Sequence, residues 1–288
     1  METATDRTTE KRERLFQIIR NAGPMVIAFS GGVDSCLLLT VAHDALGPEV
    51  VAATAVSDIH PHRQTERARA WVQRKDIPHV FFSSGEIHLP AFAANQADRC
   101  YHCKLNLFEA LWQIAGDREL SQVAHGANID DLDDFRPGMA AARKMNVRAP
   151  LIEAELRKQD IRSLAKEMGL LSWNQPATPC LATRIPYGTP ITLERLNMVD
   201  QAENVLFDMG IEECRVRHHG TVARLEVNGA DIGRVMENGG RQHIVARLRD
   251  IGFHHVTLDL EPHVSGGMNR VLEPNAHLEV SRQKGAKP

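Results

Sequence analysis

The chain of 288 residues lacks most features of a membrane, exported or nucleic-acid-binding protein. No apolar run approaches the about 20 residues of a membrane-spanning helix. Residues 1–14 are polar and charged, unlike the apolar core of a signal peptide. The net charge of -3 predicts no basic surface for RNA or DNA. We therefore expect a cytoplasmic protein without a membrane or nucleic-acid partner.

The cysteine content argues against a disulfide framework, because five is an odd number and the expected compartment is reducing. A single CxxC is present, at Cys100 and Cys103, and no second CxxC completes a zinc site. The pair is either a redox dithiol or part of a [4Fe–4S] cluster with Cys180 as the third ligand. In such a cluster one iron would have no protein ligand. The alternative for Cys180 is a buried apolar side chain. We interpret Cys36 and Cys214 as thiols without a functional role.

The most informative stretch that is present is Ser-Gly-Gly-Val-Asp-Ser at residues 30–35, between the apolar runs 25–29 and 37–39. This order predicts a strand, a glycine-rich turn and a helix, whose free N–H groups favour an anion. The turn lacks the Gly-Lys-Ser/Thr end of a Walker A loop, which excludes a P-loop NTPase. The candidate phosphate-binding residues are Ser30, Gly31, Gly32, Asp34 and Ser35.

Strand and helix patterns alternate over residues 1–172, which predicts a doubly wound, mostly parallel α/β sheet with ligands at the carboxyl ends of its strands. The predicted strands are Met25–Phe29, Val50–Val56, His79–Ser83 and Ser121–Gly126. The predicted helices are Asp6–Ala22, one ending at Leu46, Arg63–Lys75, Asn106–Ala115, Gly138–Met145 and Lys158–Met168.

Residues 173–288 are predicted to form a smaller α+β domain with the order αββαβ. Its predicted elements are a helix at Thr192–Met209, strands at Glu213–His218 and Val222–Val227, a mostly helical stretch at Asp231–Ile251 and a strand at His255–Leu260. The proline-rich stretch 172–190 is interpreted as a linker that carries chemistry, and the polar tail from about residue 265 is expected to be mobile.

Several polar residues are further candidates for the site. Gly126 and Asn128 end a predicted strand, and Asp130 and Asp131 follow it, so they are candidates for contacting ATP or its Mg²⁺. The alternative for the aspartates is a solvated acidic turn.

Basic residues later in the chain are candidates for binding an anionic substrate. Arg184 follows Cys180 by four residues, and Arg215, Arg217 and His219 alternate along a predicted strand, so these three face one way. Arginine binds phosphate and carboxylate in a forked geometry, and the alternative is a solvated strand face. The histidine pairs at 60 and 62 and at 254 and 255 are interpreted as surface residues.

The motifs together resemble the LarE family of the ATP pyrophosphatase (PP-loop) superfamily. The resemblance rests on Ser30–Ser35, on RCYHCK at Arg99–Lys104, on HGANIDDLDDFRPG at His125–Gly138 and on QPATPCLATRIPYGTPIT at Gln175–Thr192. It covers about residues 10–260, and the last motif is the most specific.

The resemblance implies an ATP-dependent sulfurtransferase of nickel-pincer cofactor biosynthesis. Such an enzyme adenylates a carboxylate of a pyridinium-3,5-biscarboxylate mononucleotide and replaces AMP with sulfur, which gives a thiocarboxylate. One branch of the family sacrifices the sulfur of a single cysteine, matching Cys180. The other branch adds a CxxC, as Cys100 and Cys103 do here, and is thought to carry a [4Fe–4S] cluster that delivers sulfide. Cys180, Glu203 and Arg184 are the candidate catalytic residues, and Glu203 and Glu226 loosely match acidic positions of the family.

The implied enzyme uses ATP, Mg²⁺, a [4Fe–4S] cluster, a sulfide donor and the pyridinium mononucleotide, and we expect a homo-oligomer. A tRNA thiolase of the same superfamily is a rival, although it needs a basic RNA surface. A second rival is an amide-forming ligase such as a GMP or NAD synthetase, whose reaction does not require the three cysteines. A third rival is a nucleotide-binding regulator that catalyses no reaction. Pyrophosphate release on addition of substrate and ATP distinguishes an enzyme from such a regulator.

Overall fold

The computed structural model describes residues 4–132 and 137–261, which form two compact units. Unit 1 comprises the described residues up to Leu89 and Asp98–Thr178, and unit 2 comprises Pro90–Ala97 and the described residues from Pro179 onward. The tail expected to be mobile lies outside the described residues, as does the segment 133–136. The division into domains at residue 172 stays a prediction.

The helices and strands follow one another along the chain, and a long connection, residues 168–192, joins α8 to α9. From the start to residue 167 they are α1 (Ala4–Ala22), β1 (Met25–Ala28), α2 (Val33–Leu46), β2 (Val50–Val56), α3 (His62–Lys75), β3 (His79–Ser83), α4 (Pro90–Ala93), α5 (Arg99–Asp117), β4 (Gln122–Ala124), α6 (Pro137–Lys144), α7 (Pro150–Glu153) and α8 (Lys158–Glu167). After these come α9 (Leu193–Asp208), β5 (Cys214–His219), β6 (Val222–Val227), α10 (Ile232–Met236), α11 (Asn238–Ile251) and β7 (His255–Leu258).

The four strands of unit 1 form a parallel sheet in the order β3-β2-β1-β4. Met25 of β1 pairs with Val50 of β2 on one side and with Gln122 of β4 on the other. The chain therefore winds from β1 through β2 to β3 and then crosses to the other side of β1. Ligands of such sheets bind at the carboxyl ends of the strands that flank this reversal. The turns after β1 and β4 frame that position.

Successive residues of β1 enter different hydrophobic cores, because side chains alternate along a strand. Met25 and Ile27 pack in a core that includes residues of α1, α2 and α8. Val26 packs in a second core that includes Phe108 of α5 and Ala141 of α6. Burial on both faces explains why β1 and β2 are almost entirely apolar.

Unit 2 contains a three-stranded sheet in the order β5-β6-β7, with β5 antiparallel and β7 parallel to β6. Its core joins the Val216 face of β5 to apolar residues of α9, α10 and α11, among them Leu206, Val235 and Leu248. The hydroxyl of Thr192 caps α9 by accepting the N–H of Arg195 at 3.3 Å. The order of elements is αββααβ.

The predicted α/β fold with a smaller α+β part is confirmed, and the ends of β2, β3 and β6 are those predicted. The helix predicted from Asn106 begins instead at Arg99, because nothing in the CxxC segment breaks a helix. His60, interpreted as a surface residue, is half-buried, and burial lowers its pKa. In the described residues, no helix is both long and apolar enough to cross a membrane.

Candidate functional site

The Ser-Gly-Gly turn folds back on itself between β1 and α2. The Ser30 N–H donates to Oγ of Ser35 at 3.3 Å, and the Ser35 hydroxyl donates to the carbonyl of Gly32 at 3.0 Å. The Gly32 N–H points at Oγ of Ser30 at 3.4 Å. Both hydroxyls therefore lie at the start of α2, where N–H groups and the helix dipole favour a phosphate.

Two glycines allow the close packing around the Ser-Gly-Gly turn. Gly31 has a φ of 76°, and a Cβ there would lie 3.2 Å from Cα of Ala68 on α3. Gly126, in the turn after β4, faces the turn from the other side, and a Cβ there would lie 3.2 Å from the backbone nitrogen of Ser35. The two turns predicted to bind ATP thus approach each other closely because residue 126 has no side chain.

Asp34 is held by one residue predicted for the site and by one that the sequence analysis missed. The amide of Asn128 donates to Oδ1 of Asp34 at 3.2 Å, and the ammonium of Lys158 donates to Oδ2. Lys158 is the first residue of α8 and lies 124 positions from Asp34. Helical periodicity predicted α8 itself, but no signal in the sequence connects Lys158 with Asp34.

The acidic residues after β4 organise this edge of the sheet. Oδ2 of Asp131 accepts the N–H of Asn128 at 3.0 Å, which fixes the backbone that carries the Asn128 amide. Asp130 accepts the N–H of Lys158 at 2.7 Å and pairs with Arg157 at 2.7 Å. The backbone hydrogen bond from Lys158 and the cations lower the pKa of Asp130. The alternative of a merely solvated acidic turn does not describe these contacts.

Three cysteines of unit 1 lie in two different environments. Cys100 and Cys103 have side chains of intermediate exposure in the first turns of α5. Cys36 is buried in α2 behind the Ser-Gly-Gly turn, and burial raises the pKa of its thiol to about 12. The interpretation of Cys36 as a thiol without a chemical role fits this environment.

In unit 2, Cys180 begins a short turn that is pinned by Arg184. The guanidinium of Arg184 donates to both carboxylate oxygens of Glu203 at 2.8 Å, and both side chains are almost fully buried. It also donates to the carbonyls of Pro179 at 2.8 Å and Cys180 at 3.1 Å. The charge of Glu203 raises the pKa of Arg184 although burial opposes this. Arg184 and Glu203, both predicted for the site, therefore hold the backbone at Cys180.

Arg215 and Arg217 lie on the same face of β5, as predicted, and both are buried. Arg217 forms a bidentate pair with Glu226 of β6 at 2.7 and 2.8 Å, so these two predicted residues bind each other. Burial and the neighbouring cation of Arg184 lower the pKa of Arg215 to about 10. An exposed, solvated strand face is excluded for these two residues, whereas His219 is exposed.

The structure brings the predicted residues together in two groups, one in each unit. The group in unit 1 consists of Ser30, Gly31, Gly32, Asp34, Ser35, Gly126, Asn128 and Asp131, joined by Lys158. The group in unit 2 consists of Cys180, Arg184, Glu203, Arg215, Arg217 and Glu226. Among residues 4–132 and 137–261, no group of three or more histidine, cysteine or acidic side chains is arranged to hold a metal ion.

Comparisons with known proteins extend over most of the chain. No protein-family model matches the chain. The chain is 39% identical over 262 residues to an uncharacterized protein of Synechocystis sp., covering 91% of this chain and 98% of the relative. It is 32% identical over 263 residues to the pyridinium-3,5-bisthiocarboxylic acid mononucleotide synthase of Lactiplantibacillus plantarum, covering 91% and 95%.

A more distant relative is a GMP synthase. The chain is 28% identical over 200 residues to the glutamine-hydrolyzing GMP synthase of Aeropyrum pernix, covering 63% of this chain and 38% of that protein. The parallel sheet, the Ser-Gly-Gly turn after β1 and this similarity agree with a PP-loop ATP pyrophosphatase fold. The identity to the mononucleotide synthase over nearly the whole of both proteins shows that this chain belongs to the LarE family.

Proposed function

We propose that this protein is an ATP-dependent sulfurtransferase that acts on a pyridinium-3,5-biscarboxylate mononucleotide in the cytoplasm. The proposal carries over what the name of the Lactiplantibacillus plantarum relative states about its product. The observation in this chain that supports it most is the Ser-Gly-Gly turn, whose hydroxyls and N–H groups meet the Asp34–Lys158 pair at the reversal of the sheet.

The first step is the activation of a substrate carboxylate by ATP. A carboxylate oxygen attacks the α-phosphorus, the bond to the bridging oxygen breaks, and pyrophosphate leaves with that electron pair. Ser30, Ser35 and the first N–H groups of α2 bind the leaving pyrophosphate. Asp34 provides an oxygen for the Mg²⁺ that accompanies ATP, and Lys158 is then available to neutralise phosphate charge.

The second step replaces AMP by sulfur. A sulfide nucleophile attacks the carbonyl carbon of the acyl-adenylate, and AMP leaves with the electron pair of the C–O bond. Cysteine thiolates are the usual ligands of iron–sulfur clusters, and Cys100, Cys103 and Cys180 supply three cysteine side chains. When bound by these residues, a [4Fe–4S] cluster would supply the sulfide from a donor outside the chain.

Unit 2 binds the anionic substrate in this proposal. Three buried arginines, Arg184, Arg215 and Arg217, share the two buried carboxylates Glu203 and Glu226. Burial and the neighbouring cation of Arg184 lower the pKa of Arg215, and a further anion beside Arg215 would favour its charged form. A phosphate or carboxylate of the mononucleotide is such an anion.

The decisive experiment identifies both products of a single reaction. Protein purified without oxygen is incubated with ATP, Mg²⁺, sulfide and the biscarboxylate mononucleotide, and nucleotides and mononucleotides are separated by mass. We expect AMP and pyrophosphate in proportion to a mononucleotide that has gained the mass difference between sulfur and oxygen. ADP and phosphate would contradict the proposal, and an amide product with ammonia would favour a ligase. Iron and sulfide analysis of the same sample tests the cluster.

A further inference from the structure

The loop that follows Cys180 is held by a residue from a distant part of the sequence. Segment 90–97 belongs to unit 2, although the chain on either side of it belongs to unit 1. Within it, Asn95 is fully buried and has a φ of 56°, in the left-handed region that favours glycine. An asparagine is tolerated there better than most residues, and its position 85 residues before Cys180 gives no sequence signal of a contact.

The amide of Asn95 binds three carbonyls of one loop. Its Nδ2 lies 2.7 Å from the carbonyl oxygen of Thr189, 2.8 Å from that of Pro186 and 3.3 Å from that of Ile185. Its two hydrogens are shared among the three acceptors. The backbone takes part as well, because the N–H of Gly188 donates to the Asn95 carbonyl at 3.0 Å. These contacts tie both sides of the turn 185–189 to a single side chain.

The same loop is held at its start by other groups. The N–H and hydroxyl of Thr183 donate to the carbonyl of Cys180 at 3.0 and 2.8 Å, and Arg184 holds Pro179 and Cys180. Asn95 therefore acts on the part of the loop that Arg184 does not reach. Removing its amide would leave carbonyls in a buried position without their donor, which favours local opening of the loop.

We propose that Asn95 is a positioning residue that holds the loop carrying Cys180 in one closed conformation by binding the carbonyls of the turn 185–189. The functional meaning of this role rests on the proposed function, in which Cys180 handles sulfur. The effect on the Cys180 thiol does not rest on it, because the loop contacts exist whatever the reaction is.

The test compares the alkylation rate of Cys180 in three variants, read by mass spectrometry of the peptide with iodoacetamide as probe. Asn95→Asp places a carboxylate oxygen against three carbonyl oxygens, and Asn95→Gly keeps the left-handed backbone but removes the amide. In both we expect Cys180 to react about fivefold faster or more, because the loop opens more often. Gln96→Ala is the matched control, since Gln96 is exposed and its amide only reaches the carbonyl of Ala94.

The readouts separate positioning from general destabilisation. The alkylation rates of Cys36, buried in α2 of unit 1, and the melting temperature of the whole chain report the integrity of the fold. If Asn95→Asp does not fold, Asn95→Gly decides. We expect a lower kcat for thiocarboxylate formation and an unchanged KM for ATP. An unchanged Cys180 rate in Asn95→Gly, or an equal increase at Cys36, would overturn the proposal. Lack of sulfur transfer by the wild-type protein would instead overturn the proposed function.

Discussion

At the residue scale, the proposed ATP site depends on a carboxylate and two partners, and these three residues come from separate parts of the chain. Asp34 comes from α2, Asn128 from the turn after β4 and Lys158 from α8. The pair with Lys158 is partly exposed, so it contributes little to stability, and its importance lies in the charge it places beside the Ser-Gly-Gly turn.

Replacing Lys158 by methionine tests this assignment. We expect pyrophosphate release to fall about 10- to 100-fold, because a cation beside the phosphates is lost. The free energy of unfolding should change by less than about 1 kcal/mol, as for other exposed pairs. Lys166→Met on the same helix is the control, since Lys166 packs over Trp173 and not at the turn. Equal rates of pyrophosphate release in the two variants would contradict a role for Lys158 in this site.

His125 makes the stability depend on pH. Burial is the main cause that lowers its pKa from 6.5 to about 4, with the charge of Lys104 adding to it. Below pH 6.5 the unfolded chain binds a proton that the folded chain does not, so stability falls as the pH falls from 6.5 towards 4. Between pH 7 and pH 5 His125 should cost about 2 kcal/mol.

Urea unfolding at these two pH values measures the effect. Between pH 7 and pH 5, the free energy of unfolding of His125→Gln should fall by about 2 kcal/mol less than that of the wild-type chain. His255→Gln, at an exposed position on β7, should follow the wild-type values. If the stability of the two variants depends on pH in the same way, the assignment of this pH dependence to His125 is wrong.

At the element scale, the site depends on how closely two turns approach. Gly126→Ala would bring a Cβ to 3.2 Å from the nitrogen of Ser35 and 3.4 Å from the carbonyl carbon of Asp34. We expect it to slow ATP cleavage about tenfold or more, because displacing the turn shifts Asn128 away from Asp34.

The same substitution at Gly116 is the control. Gly116 lies in the last turn of α5, and a Cβ there would meet none of the described residues within 4 Å, so alanine should leave activity unchanged. It should also stabilise the helix by up to about 1 kcal/mol. Assays of pyrophosphate release and melting temperature compare the two variants, and comparable activity in both would contradict the close-approach argument.

A buried ion pair joins the Cys180 turn to α9 and β5. Glu203 accepts from Arg184 and also from the N–H of Val216 at 3.0 Å. Glu203→Gln should lower the free energy of unfolding by about 3–5 kcal/mol, because Arg184 stays buried without its counter-charge. Asp250→Asn breaks the exposed pair with Arg247 and should cost less than about 0.5 kcal/mol. Denaturant unfolding followed by circular dichroism distinguishes the two results.

At the scale of the whole molecule, the proposed function assigns ATP to residues of unit 1 and the anionic substrate to residues of unit 2. If this division holds, substitutions in unit 2 should leave ATP binding unchanged. Arg215→Ala should weaken binding of the mononucleotide about 30-fold or more, because truncating a buried charged contact is costly. Arg241→Ala, at an exposed position of α11, is the control. Calorimetry with each ligand decides, and equal losses for ATP and mononucleotide would contradict the division.

The sequence by itself determined the fold class and the chemistry of the first turn. Alternating apolar runs and glycine breaks predict β1, β2 and β3 closely, because period and turn chemistry are local properties. Residues 30–35 indicated phosphate binding for the same reason, since the motif, the preceding strand and the following helix are contiguous.

Tertiary structure alone decided which side chains meet. Lys158 reaches Asp34 across 124 residues, Asn95 reaches Thr189 across 94, and Glu203 reaches Arg184 from another element. Arg215 and Arg217 face one way as the period of a strand requires, but only packing decides that both are buried. Pairing between distant residues depends on strand order and on the approach of helices, and no local pattern encodes either.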